Sequence, residues 1–518
     1  MVDIEAFKRD FKAKNAEIFF MLRSVKSEAP GIEISAFRRV KLFQEYLGVD
    51  VTLITNEYQH DLLERCDDYK INSRVLNMYE YFQEINREIE KPRRNIIEPM
   101  HEGWSVERIR NDLRICRRDG VLVMYCVFSP KTQRLSFINF FNEDRKKFRR
   151  DCYDIFGFLS CRQELDPKNE REKEIFYYRP DGTVAIHEVY RYFNNKKILI
   201  KMELVDRQGN VTKTFKRLDE AILHWLNQLF SDKKKIYFLI GDRTPEYNKM
   251  YIYLQAANFD NIKVIHQLHS LHVSNKFNLS KATTNKKYRH LIDKTIKADA
   301  IIALTEQQRD DIIQRYDLSN VYAIPHPLQK FNVSEKKFNP FNVVLVGRIV
   351  PVKGHAKAIN AFKIVVDKIP QAKLFFYGAG ELQPNLQARI DTLNLSNSIM
   401  FKGFSANVGE IFSNAACSIC TSESEGFSLA VQESLQNNCP VVSFDCNYGP
   451  RDMIEDGVNG YLVRPGNVEE MADRIIKVLT EPGLRERLSA NCAHSLEKFS
   501  PNIVANKWAE LFCKLMNK

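Results

Sequence analysis

Two carboxylates, Glu425 and Glu433, lie eight positions apart within 421–440 (TSESEGFSLAVQESLQNNCP) and bracket Gly426-Phe427-Ser428-Leu429. The preceding run 415–421, AACSICT, is small and apolar and reads as a buried strand. From about Ser428 the spacing of Leu429, Val431 or Gln432, and Leu435 turns helical. The stretch therefore predicts a strand, a glycine-bearing turn and a helix start. A helix start offers unpaired backbone N–H groups and a partial positive charge, which suits phosphate. Glu425 stands just before the turn. Glu433 falls about two turns into the helix, where a side chain still reaches a ligand at its mouth. Acids near helix starts ordinarily only complement the dipole; Glu425 fits that plain role well, Glu433 less well.

Other loops supply partners for such a ligand. Gly347–His355 (GRIVPVKGH) follows a buried run and carries Arg348 and Lys353. Arginine offers a planar fork and lysine a point charge, a matched pair for a diphosphate. Gly378-Ala379-Gly380-Glu381 permits close backbone approach, and Tyr448-Gly449-Pro450 with Asp456–Gly460 (DGVNG) ends the loop after the next strand. Each alone is ordinary turn geometry or a surface charge. Together, at successive strand ends of one sheet, they are hard to explain as packing. The run HQLHSLH holds His266, His269 and His272, yet i, i+3 and i+6 do not share a face on a strand running into a loop. No metal site is predicted there. Cys417-x-x-Cys420 has redox spacing but lies inside an apolar strand with no second pair, so core packing is expected.

The elements that must position these residues follow two patterns. The apolar strand Glu17–Leu22, helical spacing from Ile34 to Leu47 and a strand over 50–55 predict a parallel, doubly wound opening. Gly31 would then lie at the carboxyl end of the first strand. From about 84 to 230 come short runs rich in β-branched and aromatic residues, such as GVLVMYCVF and TVAIHEVYRYF, broken by Pro180-Asp181-Gly182 and Asn194-Asn195. That is a meander of antiparallel hairpins, suited to oligomerisation or to docking an extended ligand. The α/β pattern resumes at KIYFLIG, with helices expected over 291–299 and 306–316, and a second doubly wound unit begins at Phe341. The expected fold class is α/β. The units are 1–83 and 231–330 of one Rossmann-like domain, the β-rich insertion 84–230, a second domain 341–500 and a closing helix 501–518.

The 518 residues exceed one core, and the net charge of +11 favours anionic partners. The charge is dispersed, with no nucleic-acid-binding motif, so nucleic acid is not an expected partner. No run approaches a membrane helix, and MVDIEAFKRDFKAKN has no apolar signal core. A cytoplasmic location is expected, with peripheral association at the inner membrane face, and the eleven Cys are expected to be reduced.

The motifs G-R-x4-K-G, G-A-G-E, E-G-F-S-L-A-x-x-E and D-G-x-N-G resemble those of the GT-B retaining glycosyltransferases with the glutamate–seven–glutamate signature. Gly31-Ile32-Glu33, Asn77–Phe82 (NMYEYF), Tyr153–Ser160 (YDIFGFLS) and Tyr448–Ile454 (YGPRDMI) are similar to one branch. It holds the poly(glycerol phosphate) α-glucosyltransferases of wall teichoic acid and the N-acetylglucosaminyltransferases of Ser-rich or Ser-Asp-repeat adhesins. The resemblance implies two Rossmann-like domains facing a cleft, with UDP-glucose or UDP-N-acetylglucosamine as co-substrate and no metal or other cofactor. The absence of an Asp-x-Asp pair fits that expectation. Carried over, Arg348 and Lys353 hold the diphosphate, Glu433 the ribose and Glu425 the sugar hydroxyls. Gly31, Gly378 and the backbone of Phe427, Ser428 and Leu429 would lie along the donor. His269 would sit near the reacting sugar, with His266 and His272 competing for that place. One glycine stands in the first-domain loop (SEAPG) where many members have two or three, which weakens the acceptor-side phosphate contact. The acceptor is expected to be an anionic polymer, with a repeat protein as the alternative, and the insertion is expected to build a homo-oligomer. A non-catalytic partner of a transferase is a third reading, set against the presence of all four charged motif residues.

Overall fold

The structure, a computed structural model, describes residues 2–27, 31–85, 104–242, 260–274, 282–293, 296–331, 338–405 and 407–517. Three sheets organise them. The first is parallel, with strands β1 (Ala16–Leu22), β2 (Val51–Thr55), β3 (Arg74–Asn77), β14 (Ile236–Gly241), β15 (Ile262–Gln267), β16 (Ala300–Ala303) and β17 (Val321–Ala323) in the order β17-β16-β15-β14-β1-β2-β3. β1 and β14 are nearly continuous apolar runs, AEIFFML and IYFLIG, as both faces of a parallel sheet are covered. The third sheet, also parallel, joins β18 (Asn342–Val346), β19 (Lys373–Tyr377), β20 (Ile399–Gly403), β21 (Cys417–Cys420), β22 (Val441–Phe444) and β23 (Gly460–Val463) as β20-β19-β18-β21-β22-β23.

Between β3 and β14 the chain forms a ten-stranded antiparallel sheet, from β4 (Trp104–Arg110) to β13 (Val211–Phe215), with its strands in sequence order. One face of this meander, through Cys161, Tyr177, Ile186 and Met202, packs on Phe19, Met21 and Trp225 beside the first sheet. The fold class expected from the sequence is thus the one observed. Two element expectations are corrected. Residues 291–299 do not form one helix: a single turn spans Arg289–Ile292. The meander stops at Phe215, and Leu218–Leu229 is a helix that buries Ala221, Ile222, Trp225 and Leu226. Its 3.6-residue spacing was hidden by the strand-rich run before it.

The helix Pro501–Met516 lies in the core of the first sheet, though it follows the last strand of the third. Trp508 meets Phe43 edge-on at 5.2 Å, and Phe512 packs 4.7 Å from Phe238 of β14. The proline sits in its first turn, where a missing N–H costs nothing.

Candidate active site

The carboxyl ends of the two parallel sheets face each other, which is where ligands approach open α/β sheets. On the third-sheet side, Gly347 and Arg348 follow β18. The Gly378 and Gly380 backbones carry this loop: a Cβ on Gly378 would stand 2.0 Å from Gly347 O, and one on Gly380 2.2 Å from Ile349 O. The close approach that these glycines permit is therefore to the neighbouring loop. Arg348 is exposed and, among the described residues, makes no ion pair.

Lys353 is brought to the mouth by a third packed glycine. Gly354 has φ +67°, and a Cβ there would meet Thr421 O at 2.1 Å, while Thr421 Oγ1 donates to Lys353 O at 2.9 Å. From this seat Lys353 Nζ donates to Glu425 Oε1 at 2.6 Å, and Ser422 Oγ donates to the same oxygen at 2.5 Å. Burial works against the lysine's charge, but the Glu425 carboxylate outweighs it and holds the ammonium above its ordinary pKa.

The predicted strand–turn–helix is β21, a loop and the helix Leu429–Gln436. Ser428 precedes the helix at φ +71° and offers no side-chain cap. Gly426 has a role that the sequence did not disclose. A Cβ there would stand 2.4 Å from His269 O, so only glycine lets this loop rest on the opposite domain. Phe427 is buried, its ring edge-on to His326 at 5.2 Å. The loop after β22 clasps the same turn, with Tyr448 N donating to Glu425 O and Glu425 N to Asn447 O. The D-G-x-N-G motif is architectural: Asn459 is buried and ties Glu455 N, Met453 O and Ser495 Oγ together.

The first sheet contributes charges assembled from distant residues. His269 Nε2 lies 2.7 Å from Asp242 Oδ1, just beyond the end of β14. Arg39, on the helix Gly31–Leu42, donates to both Asp242 oxygens at 2.6 and 2.5 Å, and also to Gln267 Oε1. Arg39 and Asp242 have side-chain exposures of 1% and 0%. Burial disfavours the Asp242 charge, but Arg39 and then His269 overrule it, so the carboxyl is held far below the usual range. His269 is thus anchored by one nitrogen on a fixed anion. His266 and His272 are buried elsewhere. Burial pushes His266 to about 3 and His272 to about 4, and His272 stacks against Tyr448. Of the three histidines, His269 is the one brought to Gly426.

Glu433 is reached by Arg38 of the same helix, at 2.5 Å across the cleft. The structure therefore brings Lys353, Glu425, His269, Phe427, Ser428, Leu429 and Glu433 to one mouth, with Arg348 beside them. Gly31 opens its helix at an exposed position where a Cβ would meet nothing within 4 Å. The rest of its loop, 28–30, lies outside the described residues. Arg38, Arg39 and Asp242 were missed by the sequence reading. Only Asp242 left a signal, as an acid directly following a buried parallel strand. Among the described residues no cluster of three His, Cys, Asp or Glu side chains is arranged for a metal, and no helix is long and apolar enough to cross a membrane.

The Glycosyl transferases group 1 family model matches residues 328–494. The chain is 24% identical over 521 aligned residues to the poly(glycerol-phosphate) alpha-glucosyltransferase of Bacillus subtilis (strain 168), spanning 95% of this chain and 74% of that one. It is 25% identical to the poly(ribitol-phosphate) alpha-N-acetylglucosaminyltransferase of Staphylococcus aureus (strain COL), over 96% and 99% of the two chains. Among solved structures, the pneumococcal O-GlcNAc transferase GtfA in complex with UDP and GlcNAc superposes with a TM-score of 0.83 at 18% identity, over 97% and 100% of the chains. Residues 328–494 thus match a glycosyltransferase family model, and the fold of the chain is that of these glycosyltransferase structures. Over nearly its whole length the chain is similar to these polyol-phosphate and N-acetylglucosaminyl transferases.

Proposed function

We infer that the protein is a retaining hexosyltransferase moving an α-linked glucose or N-acetylglucosamine from a UDP-sugar to a cell-envelope acceptor, most strongly poly(glycerol phosphate). One observation carries this reading: an exposed Arg348, without an ion-pair partner among the described residues, stands beside the Lys353–Glu425 pair, at strand ends facing a histidine on the opposite sheet. A cation so placed calls for an anion. A UDP diphosphate between Arg348 and Lys353 would supply it, and both cations would stabilise the leaving UDP. Glu433 would accept from the ribose hydroxyls, Glu425 from the sugar hydroxyls, and the N–H groups of Phe427–Leu429 would lie along the donor. Gly31 and Gly378 would keep the two loops low enough to admit it. In front-side return, the bond from the sugar C1 to the UDP oxygen breaks as the acceptor oxygen bonds C1 on the same face. The acceptor proton passes to the departing phosphate oxygen. No metal or further cofactor enters this scheme.

A polyanionic acceptor matches the net charge of +11, because weak phosphate contacts add along a repetitive chain. Transfer to serines of an acidic repeat protein is the second reading, favoured by the TM-score of 0.83 to the O-GlcNAc transferase structure. A non-catalytic partner role is disfavoured because the four charged motif residues are all present. Oligomerisation would use the last three strands of the meander, where Phe193, Ile198, Ile200 and Val211 are exposed. A cytoplasmic location and a peripheral contact with the membrane complete the reading. Labelled UDP-glucose and UDP-N-acetylglucosamine, offered with poly(glycerol phosphate) or with a Ser-Asp repeat peptide, test it. Label entering the polymer is expected; labelled peptide with unlabelled polymer overturns the choice of acceptor, and no transfer to either overturns the reading.

A further inference from the structure

Arg38 reaches Glu433 from the opposite sheet by one arm only. Its Nη2 meets Oε1 at 2.5 Å, with the two side chains 12% and 10% exposed. A guanidinium fits a carboxylate with two parallel N–H bonds when nothing else needs its second arm. Here the second arm, Nη1, is shut off from solvent and has no acceptor among the described residues. No described residue donates to Glu433 Oε2. A shielded donor without a partner is costly, so the half-used pair reads as a fitting with room for one more component. The neighbouring charge does not supply it. Arg39 is committed to Asp242 and Gln267, and burial holds His326 well below its ordinary pKa, with His269, Arg39 and Arg38 adding to the effect. The other signature acid lacks this gap, since a single oxygen of Glu425 already takes both Lys353 and Ser422.

We propose that Arg38 is a nucleotide-binding residue. Its Nη1 donates to the ribose-diphosphate portion of the donor, while Nη2 keeps the Glu433 carboxylate turned toward the ribose hydroxyls. The nucleotide is then held from both sheets at once. The proposal rests on the reading of the site as a UDP-sugar site with Glu433 at the ribose. An alternative in which the donor must expel Arg38 is less favourable, because it strands a shielded guanidinium and leaves the Glu433 charge facing only neutral hydroxyls.

Titration of the full chain with UDP alone, by calorimetry, tests this without requiring transfer. The wild-type protein is expected to bind UDP, and Arg38→Gln to bind it roughly tenfold more weakly or worse, about one factor of ten per lost charged contact. Arg38→Lys is expected to recover only part of that loss, since one ammonium cannot serve both Glu433 and the nucleotide with planar geometry. Combined with Glu433→Gln, Arg38→Gln should cost less than the two single losses together. Melting temperature without ligand reports on folding; if Arg38→Gln does not fold, Arg38→Lys decides. Unchanged UDP affinity in the folded variants overturns the proposal and leaves Arg38 as a fastening between domains. Tighter binding also overturns it, and makes the pair a latch that the donor opens. A wild-type protein that does not bind UDP overturns both this proposal and the donor reading.

Discussion

The two sheets meet the cleft with different kinds of order. On the third-sheet side each functional group sits within a short motif, and packed glycines set it in place: Gly378 and Gly380 carry Arg348, and Gly354 seats Lys353. On the first-sheet side, Arg39, Asp242 and His269 come from three separate stretches of chain and are joined by the Arg39–Asp242 ion pair and the His269–Asp242 hydrogen bond, with almost no exposure. One side is positioned by backbone contact, the other by buried charge. A backbone seat tolerates loss of its side chain, because the loop stays packed. A buried charge does not, because its partner is left uncompensated.

Substitutions should separate the two modes. Lys353→Ala and Glu425→Ala are each expected to reduce transfer by roughly 10²- to 10³-fold, the scale of losing one preorganised donor at a developing charge. Melting temperature should move little; a variant that transfers normally would remove the assigned roles. Asp242→Ala is expected to lower stability by about 3–5 kcal/mol as well as transfer, because Arg39 is left buried alone. Denaturant unfolding checks this, and an unchanged midpoint would erase the contrast between the sheets. Gly426→Ala should reduce transfer by about 10- to 100-fold through misplacement across the cleft, with thermal unfolding close to wild type. A normal rate there would show that the contact with His269 O opens during turnover.

A last effect, shared by buried groups outside the proposed donor contacts, concerns acid. Burial takes His266 to about 3 and His272 to about 4, and burial followed by Lys353 takes His355 to about 4. Each folded-state value lies below the ordinary 6.5, so the unfolded chain binds protons that the folded chain refuses. This contribution is intact above about pH 6.5 and is lost progressively as pH falls toward 4, by up to about 1.4 kcal/mol per pH unit for each histidine. Urea midpoints between pH 7 and pH 4.5 should therefore decline, and His272→Gln should decline less steeply.

The same contrast explains what could be read from sequence. Arg348, Lys353, Glu425 and Glu433 announce themselves because a strand, a glycine turn and a helix start are local patterns. The antiparallel insertion was legible from its hairpin punctuation, and the helix over 306–316 from its spacing. Arg38 and Arg39 were not, since adjacent arginines on a helix ordinarily read as solvated charge. Only folding places Asp242, some two hundred residues away, against one of them and Glu433 against the other. Locally Gly426 is a turn residue, because nothing in its neighbours says that another domain's carbonyl will lie above it.

The helix Pro501–Met516 has a consequence for how the chain is made. It completes the hydrophobic core of a sheet whose last strand ends at Ala323, so nearly two hundred residues must be synthesised in between. At about 5–20 residues per second this is a delay of roughly 10–40 s. During it Phe43, Phe238 and their neighbours have no cover from Trp508 and Phe512. Of the two parallel-sheet domains, the one made earlier is thus the one finished later, and its open face is the place where a holding chaperone would be most useful.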